Sequence, residues 1–187
     1  MPAPRTRITA GTERGRLLKT RPGRSTRPTT SLVREALFNI IGESIRGARV
    51  LDLFAGAGTL GLEALSRGAE KAIFVDSARA CATIVAENLA ATEFASQGEM
   101  ACADVIDWLS KHRSDLSSFN LILLDPPYHD PILDRVLQTL DRAPLKPQAL
   151  VVSEHHRSDL LPELHRLRPI QARDYGTTRL SFLRYEG

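Results

Sequence analysis

Cysteine is nearly absent from this sequence of 187 residues, which contains only Cys81 and Cys102. The two cysteines form no CxxC pair, and no clustered histidines lie near them in the chain. This pattern argues against a disulfide framework and against a zinc site, so we expect no metal. Both residues are predicted to be reduced thiols in the protein core.

Long hydrophobic runs are also lacking. No stretch approaches the roughly 20 apolar residues that a membrane-spanning helix needs, and the first twelve residues lack the apolar core of a secretory signal. Hydrophobic residues at 42% and charged residues at 25% are ordinary for a globular protein. We therefore expect a soluble, cytoplasmic protein with one α/β core and a short appendage.

Acidic residues are scarce at the start of the chain, although the net charge is only +3. Residues 1–34 contain eight arginines and one lysine against the single acid Glu13, a net charge of +8. Residues 35–187 carry 16 basic and 21 acidic groups, a net charge of −5. A basic arm on an acidic body suggests a polyanion partner, and the alternative is a disordered tail.

The basic arm itself has the pattern of a hairpin followed by a linker. Two short strands around a glycine-containing turn are predicted within residues 5–20, and residues 21–28 are rich in proline, glycine and arginine. We expect residues 1–28 to form an extension and residues 29–187 the main domain. The residues predicted to contact a polyanion are Arg5, Arg7, Arg14, Arg16 and Lys19.

Strands and helices alternate through the rest of the chain, beginning with an amphipathic helix from Thr30 or Ser31 to Gly42. The predicted strands are 49–54, 72–76, 100–103, 119–125, 149–154, 169–174 and 178–185. The other predicted helices are 59–66, 78–91, 105–111, 132–140 and 158–164. This order predicts a doubly wound, seven-stranded, mostly parallel sheet that ends in an antiparallel hairpin.

A glycine-rich loop follows the first strand of this sheet. The segment Asp52–Gly61 satisfies GxGxxG and leads into a helix, a device by which backbone approaches a bound cofactor closely. Nicotinamide dehydrogenases use the same pattern, so the glycines alone do not identify the cofactor. The predicted cofactor-binding residues in this segment are Asp52, Phe54, Gly56, Gly58 and Thr59.

Acidic residues at three strand ends help to choose the cofactor. Asp52 is predicted to point into the mouth of the site, where it would repel a pyrophosphate and attract the ammonium and sulfonium of S-adenosylmethionine. Asp76 is expected to accept both ribose hydroxyls, which either cofactor would offer. Asp104 is predicted to accept from the adenine amino group, or alternatively to cap the helix that begins at Val105.

The motif Asp125-Pro126-Pro127-Tyr128 follows the strongly apolar fourth strand. The amino group of a nucleic-acid base is a poor nucleophile because its lone pair is delocalised into the ring. The Asp125 carboxylate and the Pro126 carbonyl can each accept one N–H bond and aim that lone pair at a methyl donor. The two prolines fix the backbone beforehand, and Tyr128 can stack on the base. These four residues are the predicted catalytic group.

These segments resemble the RsmD-type methyltransferases, which act on the guanine N2 amino group of 16S ribosomal RNA. The resemblance covers nearly the whole chain and is carried by Arg27–Thr29, Val33–Asn39, Asp52–Ala64, Asp125–Tyr128 and Tyr175–Thr178. It implies a Rossmann-like class I methyltransferase fold with an N-terminal hairpin and S-adenosyl-L-methionine as the cofactor. It also implies that Arg27, Pro28 and Thr29 line the cofactor site.

The resemblance implies 16S rRNA or the assembling 30S subunit as the partner, and we expect the chain to be a monomer. A DNA amino-methyltransferase acting on adenine N6 or cytosine N4 would share the catalytic motif, although the chain lacks room for a target-recognition domain. An NAD-dependent oxidoreductase is disfavoured by Asp52 and by the Pro-Pro-Tyr sequence. A non-catalytic RNA-binding module is the remaining alternative.

Overall fold

The computed structural model describes residues 5–20 and 29–187, in which the predicted alternation of strands and helices is present. The strands are β1 (Arg5–Arg7), β2 (Leu17–Lys19), β3 (Arg49–Leu53), β4 (Lys71–Asp76), β5 (Gly98–Cys102), β6 (Leu121–Leu124), β7 (Leu150–His156), β8 (Leu167–Tyr175) and β9 (Thr178–Tyr185). The α-helices are α1 (Thr29–Ile41), α2 (Thr59–Ser66), α3 (Arg79–Ala90), α4 (Val105–Lys111) and α5 (Ile132–Asp141). Two short 3-10 helices span Gly42–Ile45 and Arg113–Ser118.

Seven of the strands form one sheet in the order β5-β4-β3-β6-β7-β9-β8, and β1 pairs with β2 in a separate hairpin. The strands from β3 to β7 run parallel, whereas β9 is antiparallel to both β7 and β8. This confirms the predicted mostly parallel sheet with its C-terminal hairpin. The strand order reverses between β3 and β6, and ligands bind at the carboxyl ends of the strands at such a point.

The sheet separates two layers of hydrophobic core, because successive side chains of a strand point to opposite faces. In β6, Leu121 and Leu123 pack into the layer that also contains residues of α1, α2 and α3, together with Ile8 and Leu18 of the N-terminal hairpin. Ile122 belongs to the layer beneath α4 and α5. Burial on both faces explains why β6 reads as a continuous apolar run.

The helix predicted at 158–164 is wrong. Residues 157–158 form a turn, and residues 159–164 have no regular structure. Pro162 has no backbone N–H and its ring would clash with the carbonyl of Ser158 in a helix. The segment is also too short to form a helix without strong packing.

The prediction for the cysteines is half right. Both are thiols outside any disulfide, and Cys81 is buried, but Cys102 is exposed. Cys102 ends β5, the strand at one edge of the sheet, where fewer neighbours cover a side chain. Within residues 5–20 and 29–187, no helix has both the length and the apolar character needed to cross a membrane.

Candidate active site

The glycine-rich loop that connects β3 to α2 contains three residues with a left-handed backbone conformation. Phe54, Gly56 and Gly58 have φ values of 61°, 58° and 75°. Gly58 is the N-cap of α2, and a Cβ on Gly61 would lie 2.3 Å from the ring of Phe74. The glycines therefore allow the tight turn that was predicted for this loop, and Gly61 also allows a close approach of α2 to β4. The approach of the backbone to a cofactor stays a prediction.

The buried Asp52 side chain stabilises the glycine-rich loop through a hydrogen bond. Its side chain is 1% exposed, and its Oδ2 accepts a hydrogen bond from the Gly61 amide at 2.9 Å. Asp52 is therefore covered in this structure, and the prediction that its carboxylate points into the mouth of the cofactor site stays a prediction. Its Oδ1 is buried and has no hydrogen-bond partner among the described residues. Burial, together with the charges of Asp125 and Asp76, raises the pKa of Asp52 to about 7 despite the Gly61 hydrogen bond.

Asp76 and Asp104 both bind backbone amides in this structure. Asp76 at the end of β4 accepts from Gly56 and from Ala78, each at 2.9 Å, so it joins the cofactor loop to the start of α3. Asp104 accepts from the amides of Ile106 and Asp107 with one carboxylate oxygen and is the N-cap of α4. The capping interpretation of Asp104 is therefore correct, and its contact with adenine stays a prediction.

Three predicted cofactor residues lie at or beyond the limits of the described structure. Arg27 and Pro28 fall outside the described residues. Thr29 is the first residue of α1, and its side chain is not described. Their placement in the cofactor site stays a prediction.

The catalytic motif emerges beside the cofactor loop, because β6 pairs in parallel with β3 and Leu124 lies opposite Leu53. The Asp125 amide donates to the Leu53 carbonyl at 3.4 Å. Pro126 is buried and Pro127 is exposed. The structure therefore brings the two predicted loops together at the carboxyl edge of the sheet.

Tyr128 is held by the C-terminal strands. Its hydroxyl donates to Glu154 Oε1 at 3.2 Å and is 2.7 Å from Thr178 Oγ1. Burial raises the pKa of Tyr128 to about 12, with the nearby Glu154 and Asp125 charges acting in the same direction and the Thr178 hydrogen bond opposing them. The phenol thus stays protonated at neutral pH, and the ring, still partly exposed, is fixed at its far end.

The N-terminal hairpin is fastened to α2 through Glu63, which is fully buried. Its carboxylate accepts from the Thr9 amide at 2.9 Å, the Thr9 hydroxyl at 2.6 Å and the Ala10 amide at 3.1 Å. It also pairs with Arg34 at 3.3 Å and Arg67 at 2.9 Å. A buried carboxylate with this many partners is fully compensated, so the hairpin lies in a fixed position.

The basic side chains of the hairpin face outward. Arg7 and Arg14 are exposed, and they line a shallow depression with Arg16 and the Glu13 carboxylate. Arg16 pairs with Glu13 at 2.7 Å, and Lys19 pairs with Glu87 at 3.1 Å. The side chain of Arg5 is not described. The structure brings Arg7, Arg14 and Arg16 onto one surface, and their contact with a polyanion stays a prediction.

Comparison with known proteins assigns this chain to a family. The family model described as "Conserved hypothetical protein 95" matches residues 6–184. The chain belongs to this family, the RsmD family.

Two curated relatives and one solved structure illustrate how closely the chain resembles other RsmD-family proteins. The candidate rRNA methyltransferase YlbH of Bacillus subtilis is 41% identical over 158 residues, which are 84% of this chain and 86% of the relative. Ribosomal RNA small subunit methyltransferase D of Haemophilus influenzae is 37% identical over 150 residues, covering 79% and 77%. The solved structure of the candidate methyltransferase yhhF from Escherichia coli superposes with a TM-score of 0.84 and 31% identity, covering 98% and 99%.

Sequence reasoning missed the partners of Tyr128 in this RsmD-family site. Glu154 lies in β7 and Thr178 begins β9, both far from Tyr128 in the chain. Thr178 could have been suspected as a site residue, because it belongs to the Tyr175–Thr178 segment that helps to define the family resemblance. Nothing in the sequence marked Glu154 as a site residue except its position near the end of an apolar strand.

Proposed function

We propose that this RsmD-family chain transfers a methyl group from S-adenosyl-L-methionine to the exocyclic N2 amino group of a guanine in 16S rRNA. The named relatives support rRNA of the small subunit as the substrate class. The proposal includes a monomeric enzyme that works in the cytoplasm on 16S rRNA or the assembling 30S subunit. The observation that carries it is the convergence of the glycine-rich loop and the Asp125–Tyr128 motif on adjacent strand ends.

The cofactor loop fits S-adenosyl-L-methionine. The unpartnered, buried Oδ1 of Asp52 needs a donor, and the cofactor's ammonium would supply one. Gly56, where an added Cβ would meet only the Phe54 carbonyl at 3.9 Å, keeps the backbone open to a close ligand, and Asp76 would accept from the ribose hydroxyls. Arg27, Pro28, Thr29, Phe54, Thr59 and Asp104 complete the proposed cofactor set. When bound, the cofactor supplies an electrophilic methyl group on a sulfonium.

The acceptor amine is activated by positioning. Two N–H groups of guanine N2 would donate to the Asp125 carboxylate and the Pro126 carbonyl, which turns the nitrogen lone pair out of conjugation with the ring. Pro127 fixes the backbone after Pro126, so the acceptors are in place before the base arrives. Tyr128, held at its hydroxyl, offers its ring as a stacking surface. Base–aromatic stacking contributes about 1–3 kcal/mol, which helps to offset the unstacking of the base.

The hairpin supplies the electrostatic part of RNA binding in this proposal. Arg7 and Arg14 are exposed and Arg16 is half exposed on a hairpin that Glu63 holds in place. Arg5 and Lys19 extend the same basic strand pair. Phosphate contacts of this kind position the substrate without reading its sequence.

The substrate is tested by offering three acceptors with radiolabelled S-adenosyl-L-methionine. These are 16S rRNA transcribed in vitro, 30S subunits from cells that lack this protein, and duplex DNA. We expect methyl transfer to the RNA or the subunit and none to DNA. Transfer to DNA alone would instead support the DNA amino-methyltransferase.

A further inference from the structure

Two histidines and an aspartate meet beside the acceptor loop, which is the Asp125–Tyr128 segment after β6. His129 follows Tyr128 in the chain, His156 ends β7, and Asp159 lies in the irregular segment after β7. One potential ligand atom from each residue lies within 4.8 Å of the others. The cluster takes no part in the chemistry described above.

The three side chains already contact one another. His129 Nδ1 is 2.7 Å from Asp159 Oδ1, and the His129 amide donates to the other carboxylate oxygen at 3.2 Å. The rings of His129 and His156 are 4.5 Å apart between centroids. His156 Nδ1 lies 2.7 Å from Ser158 Oγ and accepts from the Ser158 amide at 3.2 Å. If Nε2 binds a metal, Nδ1 carries the proton and donates it to Ser158 Oγ in place of accepting from the amide. Outer hydrogen bonds of this kind hold the ligands of protein metal sites in orientation.

The backbone at His129 adds a second observation. Its φ of 60° places it in the left-handed region, which non-glycine residues adopt infrequently, although histidine adopts it more readily than most. The conformation turns the His129 side chain toward Asp159, where it makes the contacts described above. Strain of this type persists where the surroundings fix it and is concentrated at functional sites.

We propose that His129, His156 and Asp159 bind one divalent transition-metal ion, with zinc as the best match. Two imidazoles and one carboxylate are a known ligand combination for zinc, and they leave a fourth position open. Magnesium and calcium prefer sites made of oxygen ligands, so the two imidazoles disfavour them.

Binding requires the cluster to rearrange, because ligand atoms that are up to 4.8 Å apart must close to the spacing of a tetrahedral site, while the shortest contact opens. Zinc lies about 2.0–2.2 Å from nitrogen and oxygen ligands, so two ligands of a tetrahedral site are about 3.3 Å apart. The contact between His129 and Asp159 therefore opens by roughly half an ångström, and the metal takes the place of the proton between them. His129 is 60% exposed in its side chain, so it has room to move.

The charge of Asp159 suits a cation. Although its partial burial acts to raise the pKa of Asp159, hydrogen bonds from the His129 amide and ring lower it overall. The carboxylate is therefore ionised at neutral pH. Bound zinc would link the segment after Tyr128 to the segment after β7. Metal binding does not depend on methyl transfer, so the two proposals fail independently.

The test is calorimetric titration of zinc chloride into the full-length chain without an affinity tag, after treatment with a chelator. We expect one zinc per chain. His129→Asn and Asp159→Asn should each weaken binding at least tenfold, and the thermal unfolding midpoint measured without metal should stay close to that of the unaltered chain.

Two matched controls locate the metal. His165→Asn removes an exposed histidine outside the cluster, and Cys102→Ser removes the exposed thiol. Both controls should bind zinc as the unaltered chain does. The proposal is overturned if the unaltered chain binds no zinc, or if binding survives both cluster substitutions.

Discussion

The cofactor loop and the acceptor loop leave adjacent parallel strands at one edge of the sheet, but different parts of the chain hold them. Asp52 and Asp76 hold the cofactor loop from inside the parallel strands by accepting backbone amides. The acceptor loop is held through the Tyr128 hydroxyl, by Glu154 in β7 and Thr178 in the C-terminal hairpin. Donor binding and acceptor binding should therefore respond to different substitutions.

The N-terminal hairpin is connected to the cofactor loop through a side chain of α3. Asn88 in α3 donates to the Lys19 carbonyl and to the Ala57 carbonyl, each at 3.0 Å, and accepts from the Lys19 amide at 2.8 Å. One side chain thus joins the end of the hairpin to the glycine-rich loop. The proposed RNA contacts of the hairpin and the proposed cofactor contacts of the loop therefore depend on the same side chain.

Asp125→Ala should produce the largest effect and confine it to the acceptor side. Removing one of the two amine acceptors is expected to lower kcat by a factor of about 100 or more, as for loss of a single transition-state hydrogen bond. The dissociation constant for S-adenosyl-L-methionine, measured by calorimetry, should change little. Asp134→Ala, at an exposed position of α5, is the matched control. A variant that keeps normal turnover would remove Asp125 from the mechanism.

Substitutions of Tyr128 separate its ring from its hydroxyl. Tyr128→Ala removes the stacking surface and should lower kcat/KM for RNA about 5- to 100-fold, in line with about 1–3 kcal/mol for stacking. Tyr128→Phe keeps the ring but loses the bonds to Glu154 and Thr178, so a smaller loss is expected. Steady-state kinetics on rRNA measure both. An equal loss of kcat/KM in the two variants would show that the role of Tyr128 depends on its hydroxyl and not on stacking of its ring.

Asp52 gives the cofactor loop a pH dependence. Since burial raises its folded pKa to about 7 from an ordinary 3.8, the folded chain holds a proton between these values that the unfolded chain has lost. This contribution to stability is complete below about pH 4 and is lost as pH rises toward 7. The thermal unfolding midpoint of the cofactor-free Asp52→Asn variant should therefore fall less between about pH 4 and pH 7 than that of the unaltered chain. An identical decline would mean that Asp52 does not titrate there.

The same carboxylate should make cofactor binding pH-dependent. If the ionised Asp52 accepts from the ammonium, affinity for S-adenosyl-L-methionine should fall by up to about tenfold between pH 8 and pH 6 in the unaltered chain. Asp52→Asn should bind more weakly at pH 8 and show little change with pH. Calorimetry at the two pH values measures this difference.

Neutralising the hairpin should have the smallest effect and leave both loops intact. Changing Arg14 and Arg16 to glutamine is expected to weaken RNA binding a few-fold and to flatten its logarithmic salt dependence by about 0.7–0.9 per lost phosphate contact. Cofactor affinity should not change. Arg46→Gln is the control, since Arg46 is exposed and lies near the opposite, amino end of β3. An unchanged salt slope would exclude these arginines from the RNA interface.

The sequence predicted those features that short stretches of chain determine. Strand and helix order followed from local periodicity, and the positions of both loops followed from their motifs at strand ends. The burial of Asp52 was missed because it depends on how neighbouring elements cover the end of β3. The bonds from Tyr128 to Glu154 and Thr178 were missed because they join segments that are distant in the chain. The segment after β7 does not form the predicted helix because Pro162 lacks a backbone N–H and its ring is incompatible with a helix there.

The most direct test of the account is the identity of the methylated nucleoside. Ribosomal RNA from cells that lack this protein would be digested and compared by mass spectrometry with RNA from cells that carry it or its Asp125→Ala variant. We predict one N2-methylguanosine in 16S rRNA that is present with the unaltered protein and absent in the other two. Loss of a methylated adenine or cytosine instead, or no change in 16S rRNA, would contradict the account.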